Sequence, residues 1–175
     1  MADSEKGRSA IDTVKKAFER VINFLIASLL ACMVFLVFGN VISRYFLQIS
    51  IGWSEEVSRF MLIWLAFLGA VIAYLKNEHL GLDVLHKYLP RFASLILLVI
   101  ADLFVLAALA FMTKGGFDMT LDSLQSGWVS SAVPIPYGYV YMVAPISTAL
   151  MFLEGLLKLA EDVKKLIANK ALGAN

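Results

Sequence analysis

Long apolar stretches separated by short polar connectors are the main pattern of this chain of 175 residues. A helix needs about 20 mostly apolar residues to cross a bilayer core of about 30 Å. Stretches of this length occur at about 21–43, 57–75, 92–113 and 137–157. The pattern therefore predicts four transmembrane helices within residues 21–158, with no room between them for a soluble domain.

Shorter amphipathic segments flank the predicted spans. In residues 1–20, apolar side chains recur at helical spacing between lysines and arginines, which predicts a basic helix in the membrane interface. The connector at about 78–90 carries apolar residues on one helical face and predicts a second interfacial helix. Pro145 predicts a kink in the fourth span, because proline lacks the N–H that an unbroken helix needs. A cytoplasmic tail is expected at 159–175.

Composition supports a lipid environment for these helices. Apolar residues make up 60% of the chain and charged residues 17%, whereas soluble domains have about 45–50% and about 25%. A chain this short leaves much of its surface exposed, so the apolar excess has to face lipid. We therefore expect an all-α integral membrane protein.

The lysines and arginines are distributed unevenly over the connectors. Most of the 15 basic residues lie before the first span, in the second connector or in the tail. The exceptions are Arg44, Arg59 and Lys114. Cytoplasmic connectors carry such an excess, so both termini are expected to lie on the cytoplasmic side of a bacterial inner membrane. Aromatic side chains that favour an interface are predicted to anchor the opposite surface: Trp53, Trp128 and Tyr137.

The densest group of polar residues lies between the first two spans, where a short connector predicts an antiparallel hairpin. Glu55 and Glu56 are expected at the N-terminus of the second helix, where the helix dipole favours negative charge. They are within reach of Arg44 across the hairpin and of Arg59 one turn further on. Together with Asn40 these residues are predicted to form a charge-paired structural clasp. The alternative is a paired-carboxylate site for an ion or a proton.

Asp102 lies near the middle of the third predicted span, without a basic residue in the same stretch. A charge at the bilayer centre costs about 2.5–3.5 kcal/mol on insertion scales, so it needs a physical reason. We expect protonation of this carboxyl group or a hydrogen bond to Asn40 or to a serine or threonine of a neighbouring helix. A contact with a partner subunit is a sharper hypothesis. The alternative is a proton-transfer step in a small, self-sufficient oligomeric transporter.

Catalytic and cofactor-binding signatures are absent from the sequence. His79 and His86 both fall in the second connector rather than within a span, which argues against a transmembrane haem. A single cysteine, Cys32, excludes a disulfide framework and a multi-cysteine metal site, and no glycine-rich phosphate loop occurs. The basic ends suit anionic membrane lipids rather than nucleic acid. We therefore expect neither an enzyme nor a cofactor or metal on this chain.

Short motifs in the first half of the chain point to one family of transporters. They are Asn40-Val41-x-x-Arg44-Tyr45, Trp53-Ser54-Glu55-Glu56-x-x-Arg59, Phe67-Leu68-Gly69-Ala70, Glu78-His79-x-x-x-Asp83 and Leu89-Pro90. This combination resembles the DctQ family, the small membrane subunits of tripartite ATP-independent periplasmic (TRAP) transporters. The resemblance covers about residues 20–160.

The resemblance implies a scaffold rather than a transport pathway. The family's small subunit pairs with a large, multi-span subunit that carries solute and sodium by an elevator motion, and sodium is expected to bind that partner. A soluble periplasmic protein delivers the solute, typically an organic acid such as a C4-dicarboxylate or a sialic acid. The overall pattern is most similar to sialic-acid systems. The periplasmic connectors of the small subunit are implied to help dock the delivering protein transiently.

Overall fold

The computed structural model describes the backbone of residues 2–76 and 91–172, and the side chains of residues 16–76 and 93–167. No β-strand occurs in these described residues. The helices are α1 (Ala2–Ile42) with a π-helical extension (Ser43–Leu47), α2 (Gly52–Leu75), α3 (Arg91–Gln125), α4 (Tyr137–Tyr141) and α5 (Val143–Leu172). Segments long and apolar enough to cross a membrane are Lys16–Leu47, Gly52–Leu75, Ala93–Gln125 and Tyr137–Ile167. The prediction of an all-α membrane protein with four spans is confirmed.

Two predicted segments fall partly or wholly outside the described residues. The interfacial helix expected at 78–90, with His79 and His86, lies outside them entirely. The backbone of residues 2–20 is part of α1, but the side chains before residue 16 are outside the described set.

The helices are longer than the apolar stretches that predicted them. α2 begins at Gly52 rather than near residue 57, and α3 continues to Gln125 rather than ending near residue 113. The length of an apolar stretch indicates how many residues can lie in lipid. A helix can be longer, because it continues until its backbone hydrogen bonds are interrupted. The added turns of α3 also bury polar side chains, such as that of Ser123.

The described residues separate into two compact units, and the first contains the α1–α2 hairpin. It comprises Met1–Ile72 together with Val129–Ile135. The π-helical turn ends at Gln48, which has a left-handed φ of 54° and whose N–H bonds the Ser43 carbonyl. Residues other than glycine rarely adopt this backbone conformation. Here the side-chain amide of Gln48 also donates to the Tyr45 carbonyl at 3.3 Å. The turn reverses the chain before α2 begins.

The second unit comprises Ala73–Trp128 and Pro136–Asn175, and α3 packs along α5 within it. Gly155 allows close approach, because a Cβ there would lie 2.9 Å from Leu106 Cδ2. Further along the pair, Thr113 Oγ1 is hydrogen-bonded to Thr148 Oγ1 at 3.0 Å. These contacts define an antiparallel helix pair with one register.

This register offsets the third and fourth predicted spans. Thr113, where the third span was expected to end, lies beside Thr148 rather than beside Tyr137. At about 1.5 Å per residue, the offset along the helix pair is about 16 Å. Residues 114–125 of α3 therefore run alongside α4 and the first turns of α5.

The boundary between α4 and α5 lies at Met142, close to the predicted kink. Pro145 has no N–H to offer the carbonyl of Tyr141, one turn before it, so the ladder of helical hydrogen bonds is interrupted there. The Met142 N–H still bonds the Gly138 carbonyl at 3.0 Å and closes α4. The interruption expected from Pro145 is therefore present.

Candidate partner-binding surfaces

Asn40 is the centre of the hydrogen bonds that close the α1–α2 hairpin. Its Oδ1 accepts a hydrogen bond from the Ile51 N–H at 2.9 Å. Its Nδ2 donates to Glu55 Oε1 at 3.4 Å. One side chain of α1 therefore contacts both the backbone that leads into α2 and the first turn of α2.

Serine hydroxyls add further bonds across the same hairpin. Ser43 Oγ donates to the Ile49 carbonyl at 2.9 Å. Ser54, only 2% exposed, donates to the Leu36 carbonyl at 3.3 Å. Backbone polar groups without a partner are costly near lipid, so these bonds stabilise a sharp reversal at the end of a span.

Glu56 has a different role from its neighbour Glu55. Its Oε1 accepts from Ser131 Oγ, and its Oε2 accepts from the Ala132 N–H, each at 3.3 Å. The carboxylate thus contacts the connector between α3 and α4 with both oxygens. Inside that connector the Val133 N–H donates to Ser130 Oγ at 3.2 Å.

The ion pairs expected in the clasp do not form among the described residues. Among the described residues, an ion pair at 2.6 Å joins Lys165 and Asp162 of α5. Glu55 accepts a hydrogen bond from Asn40 instead, and Glu56 accepts from Ser131 and Ala132.

Four of the five clasp residues nevertheless line one cavity in the first unit. Its volume is 350 Å³, and it lies between the end of α1 and the start of α2. Both arginines and Glu55 line it, whereas Glu56 does not. The lining residues are Val37, Asn40, Val41, Arg44, Ser54, Glu55, Ser58 and Arg59.

Asp102 is buried in the second unit, with 7% of its surface exposed. Asp102 and Glu154 both lie close enough to Tyr74 to interact with it electrostatically. A Cβ on Gly155 would lie 2.6 Å from the Tyr74 hydroxyl, so the phenol packs onto α5. Sequence reasoning missed Tyr74, because nothing in its position at the end of a span indicates which helix it meets. No group of three metal-ligating side chains occurs among the described residues.

The three predicted interfacial aromatics lie at the ends of helices or in a connector. Trp53 is the second residue of α2, and Trp128 follows α3 in the connector; both are exposed. Tyr137 begins α4 and stacks on Tyr141, with ring centroids 6.0 Å apart. Amphipathic aromatic rings are typical of such positions in membrane proteins, and their role as anchors stays a prediction.

The first two spans bury very little of their apolar surface inside the chain. Only 6% of the most apolar window of Lys16–Leu47 is buried, against 39% for Tyr137–Ile167. Large side chains such as Phe35, 77% exposed, face outward along α1. Such surfaces on a membrane helix are covered either by lipid or by another membrane protein.

Comparison with known proteins shows what this chain is similar to. The family profile described as "Tripartite ATP-independent periplasmic transporters, DctQ component" matches residues 33–165. A TRAP transporter small permease protein of Haemophilus influenzae is 35% identical over 147 residues, which are 82% of this chain and 86% of the relative. The isethionate TRAP transporter permease protein DctMQ of Oleidesulfovibrio alaskensis is 29% identical over 81% of this chain and 23% of its own length. The sialic acid TRAP transporter small permease protein SiaQ of Vibrio cholerae is 22% identical over 74% of this chain and 79% of its own length.

Proposed function

Since this chain belongs to the family of DctQ components of TRAP transporters, we propose that it is the scaffold that holds a large permease subunit in place. It is a transporter subunit rather than an enzyme, and small TRAP permeases pair with a large permease subunit. The observation that carries the scaffold role is the small buried fraction of the first two spans. Their exposed apolar faces suit permanent packing against a larger membrane protein.

The isethionate relative supports a tight pairing. The region that matches this chain is 23% of that longer permease protein. In that protein, the region similar to this chain and the rest of the permease are joined in one polypeptide. We expect the corresponding separate chains to form a fixed pair. We propose that the pair lies in a bacterial inner membrane with both termini of this chain cytoplasmic, because basic residues are concentrated on that side.

The solute belongs, in this proposal, to the organic acids. The names of the relatives include isethionate and sialic acid, which are both anionic. The resemblance to the family implies a solute such as a sialic acid or a C4-dicarboxylate. The sodium that drives uptake is assigned to the large subunit, and this chain is expected to bind no cofactor.

The extension of α3 offers a place for the soluble binding protein to dock. Residues 114–125 continue the helix beyond its most apolar stretch, and Asp118 and Asp122 are exposed on it. Exposed apolar side chains, those of Phe117 and Met119, flank Asp118 in the sequence. A mixed apolar and acidic surface suits transient contact with another protein. We assign this face to the side opposite the termini.

Reconstituted uptake tests the scaffold role. Proteoliposomes are prepared with this chain alone, with the large subunit alone, and with both, each with and without the soluble binding protein. Sodium-dependent uptake of a labelled sialic acid or C4-dicarboxylate is expected only with all three proteins. Uptake by this chain alone would refute the scaffold role.

One variant separates the scaffold from a self-sufficient transporter. Asp102→Asn should leave uptake by the assembled system largely unchanged if this chain only holds its partner. A proton-coupled oligomer that uses Asp102 would instead lose transport with this substitution. Co-purification of the variant with the large subunit is the control for folding.

A further inference from the structure

The cavity between α1 and α2 contains more positive charge than its own chain balances. Arg44 and Arg59 both line it, and no acidic side chain among the described residues forms an ion pair with either. Glu55 also lines the cavity, with one oxygen bonded to Asn40. A carboxylate has about four lone-pair sites, so Glu55 can still accept a cationic donor. The cavity therefore presents two guanidinium groups and one carboxylate.

The depth of Arg59 favours pairing with an external counter-charge. It lies seven residues after Gly52 in a segment long and apolar enough to span the membrane. At about 1.5 Å per residue, its Cα is about 10 Å inside the start of the helix. Charged side chains at such depth pair with other groups or extend toward the interface. Arg44 lies at the adjoining end of α1, so both guanidinium groups can reach the level of lipid headgroups.

An apolar track leads away from the cavity along α1. Val37 and Val41 form part of the cavity wall. Val34, Val37 and Val41 are spaced by three and four residues and therefore lie on one face of the helix. All three are exposed. A ligand with a charged head and a long apolar chain matches this arrangement, whereas free phosphate would use only the charged end.

We propose that this cavity binds a zwitterionic aminophospholipid of the phosphatidylethanolamine class. Arg44 and Arg59 hold the phosphate, Glu55 accepts from the ammonium group, and an acyl chain lies along the valine track. The volume of 350 Å³ lies at the lower end of the range of about 300–1,000 Å³ for small-molecule sites. The lipid would fill the space where α1 and α2 are joined mainly through Asn40 and two serines. This inference does not depend on the solute or on the scaffold role.

Native mass spectrometry of the purified complex with the large subunit tests the lipid site. The complex is titrated with dioleoyl-phosphatidylethanolamine, with dioleoyl-phosphatidic acid, which lacks the ammonium group, and with inorganic phosphate. The variants are Arg44→Gln, Arg59→Gln, their combination, and Glu55→Gln. Arg20→Gln, which removes an exposed arginine near the start of the apolar segment Lys16–Leu47, is the matched control.

Each arginine substitution is expected to weaken phosphatidylethanolamine binding about tenfold, the ratio that corresponds to about 1.4 kcal/mol for a lost charge-assisted hydrogen bond. The double variant should retain one lipid fewer per complex than the wild type. Glu55→Gln should weaken phosphatidylethanolamine binding but not phosphatidic acid binding, and Arg20→Gln should change neither. Arg59→Lys, which keeps the charge, should retain most of the affinity and guards against misfolding of the glutamine variants.

Three outcomes would overturn the proposal. Unchanged lipid retention in the double variant would show that the arginines do not hold a headgroup. Displacement of the lipid by millimolar inorganic phosphate would indicate a phosphate site without an acyl chain. Loss of the large subunit from the double variant, with lipid affinity of the remaining chain unchanged, would assign the arginines to an acidic segment of the partner.

Discussion

Gly155 is the position where one added methyl group should most clearly test the packing of α3 against α5. A Cβ at this position would lie 2.6 Å from the Tyr74 hydroxyl and 2.9 Å from Leu106 Cδ2. Both distances are shorter than the 3.0 Å below which Cβ atoms essentially never have a neighbouring heavy atom. Either the side chains or the helices must therefore shift. Gly115 in α3 is the matched control, because a Cβ there would meet nothing within 4 Å.

Two opposing effects determine how much Gly155→Ala changes the free energy of unfolding. Alanine is favoured over glycine in a helix by about 0.8–1.0 kcal/mol. Overpacking a well-packed site costs about 1–3 kcal/mol. Gly155→Ala should therefore lower the free energy of unfolding by about 1 kcal/mol, while Gly115→Ala should raise it by about 1 kcal/mol. The two variants should thus differ by about 2 kcal/mol in opposite directions.

Thermal unfolding of the full chain in mild detergent, followed by circular dichroism, measures this difference. For a chain of this size, 1 kcal/mol corresponds to a change in Tm of about 2–4 °C. Tm should fall by about 3 °C in Gly155→Ala and rise by about 3 °C in Gly115→Ala. Denaturation by sodium dodecyl sulfate at constant temperature gives an independent reading of the same order.

A second substitution shows whether the steric contact is the cause. Tyr74→Phe removes the oxygen that the new methyl group would meet first, so Gly155→Ala should cost less in the Tyr74→Phe background than in the wild type. A double-mutant cycle gives this coupling energy without the separate cost of losing the hydroxyl. If Gly155→Ala raises Tm as Gly115→Ala does, the close packing of Tyr74 and Leu106 on Gly155 is wrong.

The remaining predictions concern the polar contacts. Asn40→Ala removes both hairpin hydrogen bonds of this side chain. It should lower the free energy of unfolding by about 2 kcal/mol, measured by the same unfolding assay. An equal loss in Asn23→Ala, on the exposed surface of α1, would contradict a specific role of Asn40. Glu56→Gln keeps the size of the side chain but weakens the two bonds to the connector, so hydrogen exchange at the Ala132 amide should accelerate, and unchanged protection would exclude this contact. Thr148→Val removes a buried hydroxyl that bonds across the helix pair and should cost about 1 kcal/mol; Thr148→Ser keeps the hydroxyl and should recover part of that loss.

Much of the fold could be predicted because membrane helices are specified locally. Four apolar stretches of sufficient length predicted four spans, and all four are present. Lipid offers no hydrogen-bond partner, so an apolar stretch of that length has to satisfy its own backbone as a helix. Pro145 likewise acts on the carbonyl one turn before it, and the helix is interrupted at Met142.

The residues of the hairpin site could be predicted from the sequence, but the contacts between them could not. Charge and position indicated Asn40, Arg44, Glu55 and Arg59, and these residues line one cavity. Their partners depend on the left-handed turn at Gln48, which brings the Ile51 N–H and Glu55 to Asn40 rather than to an arginine. Opposite charges attract over several ångströms in many geometries, whereas hydrogen bonds need one geometry.

Local properties of the chain therefore determined its class, its number of spans and the position of its polar hairpin, because apolar length and proline act within a few residues. The contacts of Glu56 with Ser131 and Ala132, the packing of Tyr74 on Gly155, and the offset that places Thr113 beside Thr148 were determined by packing between distant segments. Many registers of two apolar helices bury similar area, and the register here depends on where small residues let the backbones approach. Shape at those few positions, which apolar periodicity does not encode, chose among them.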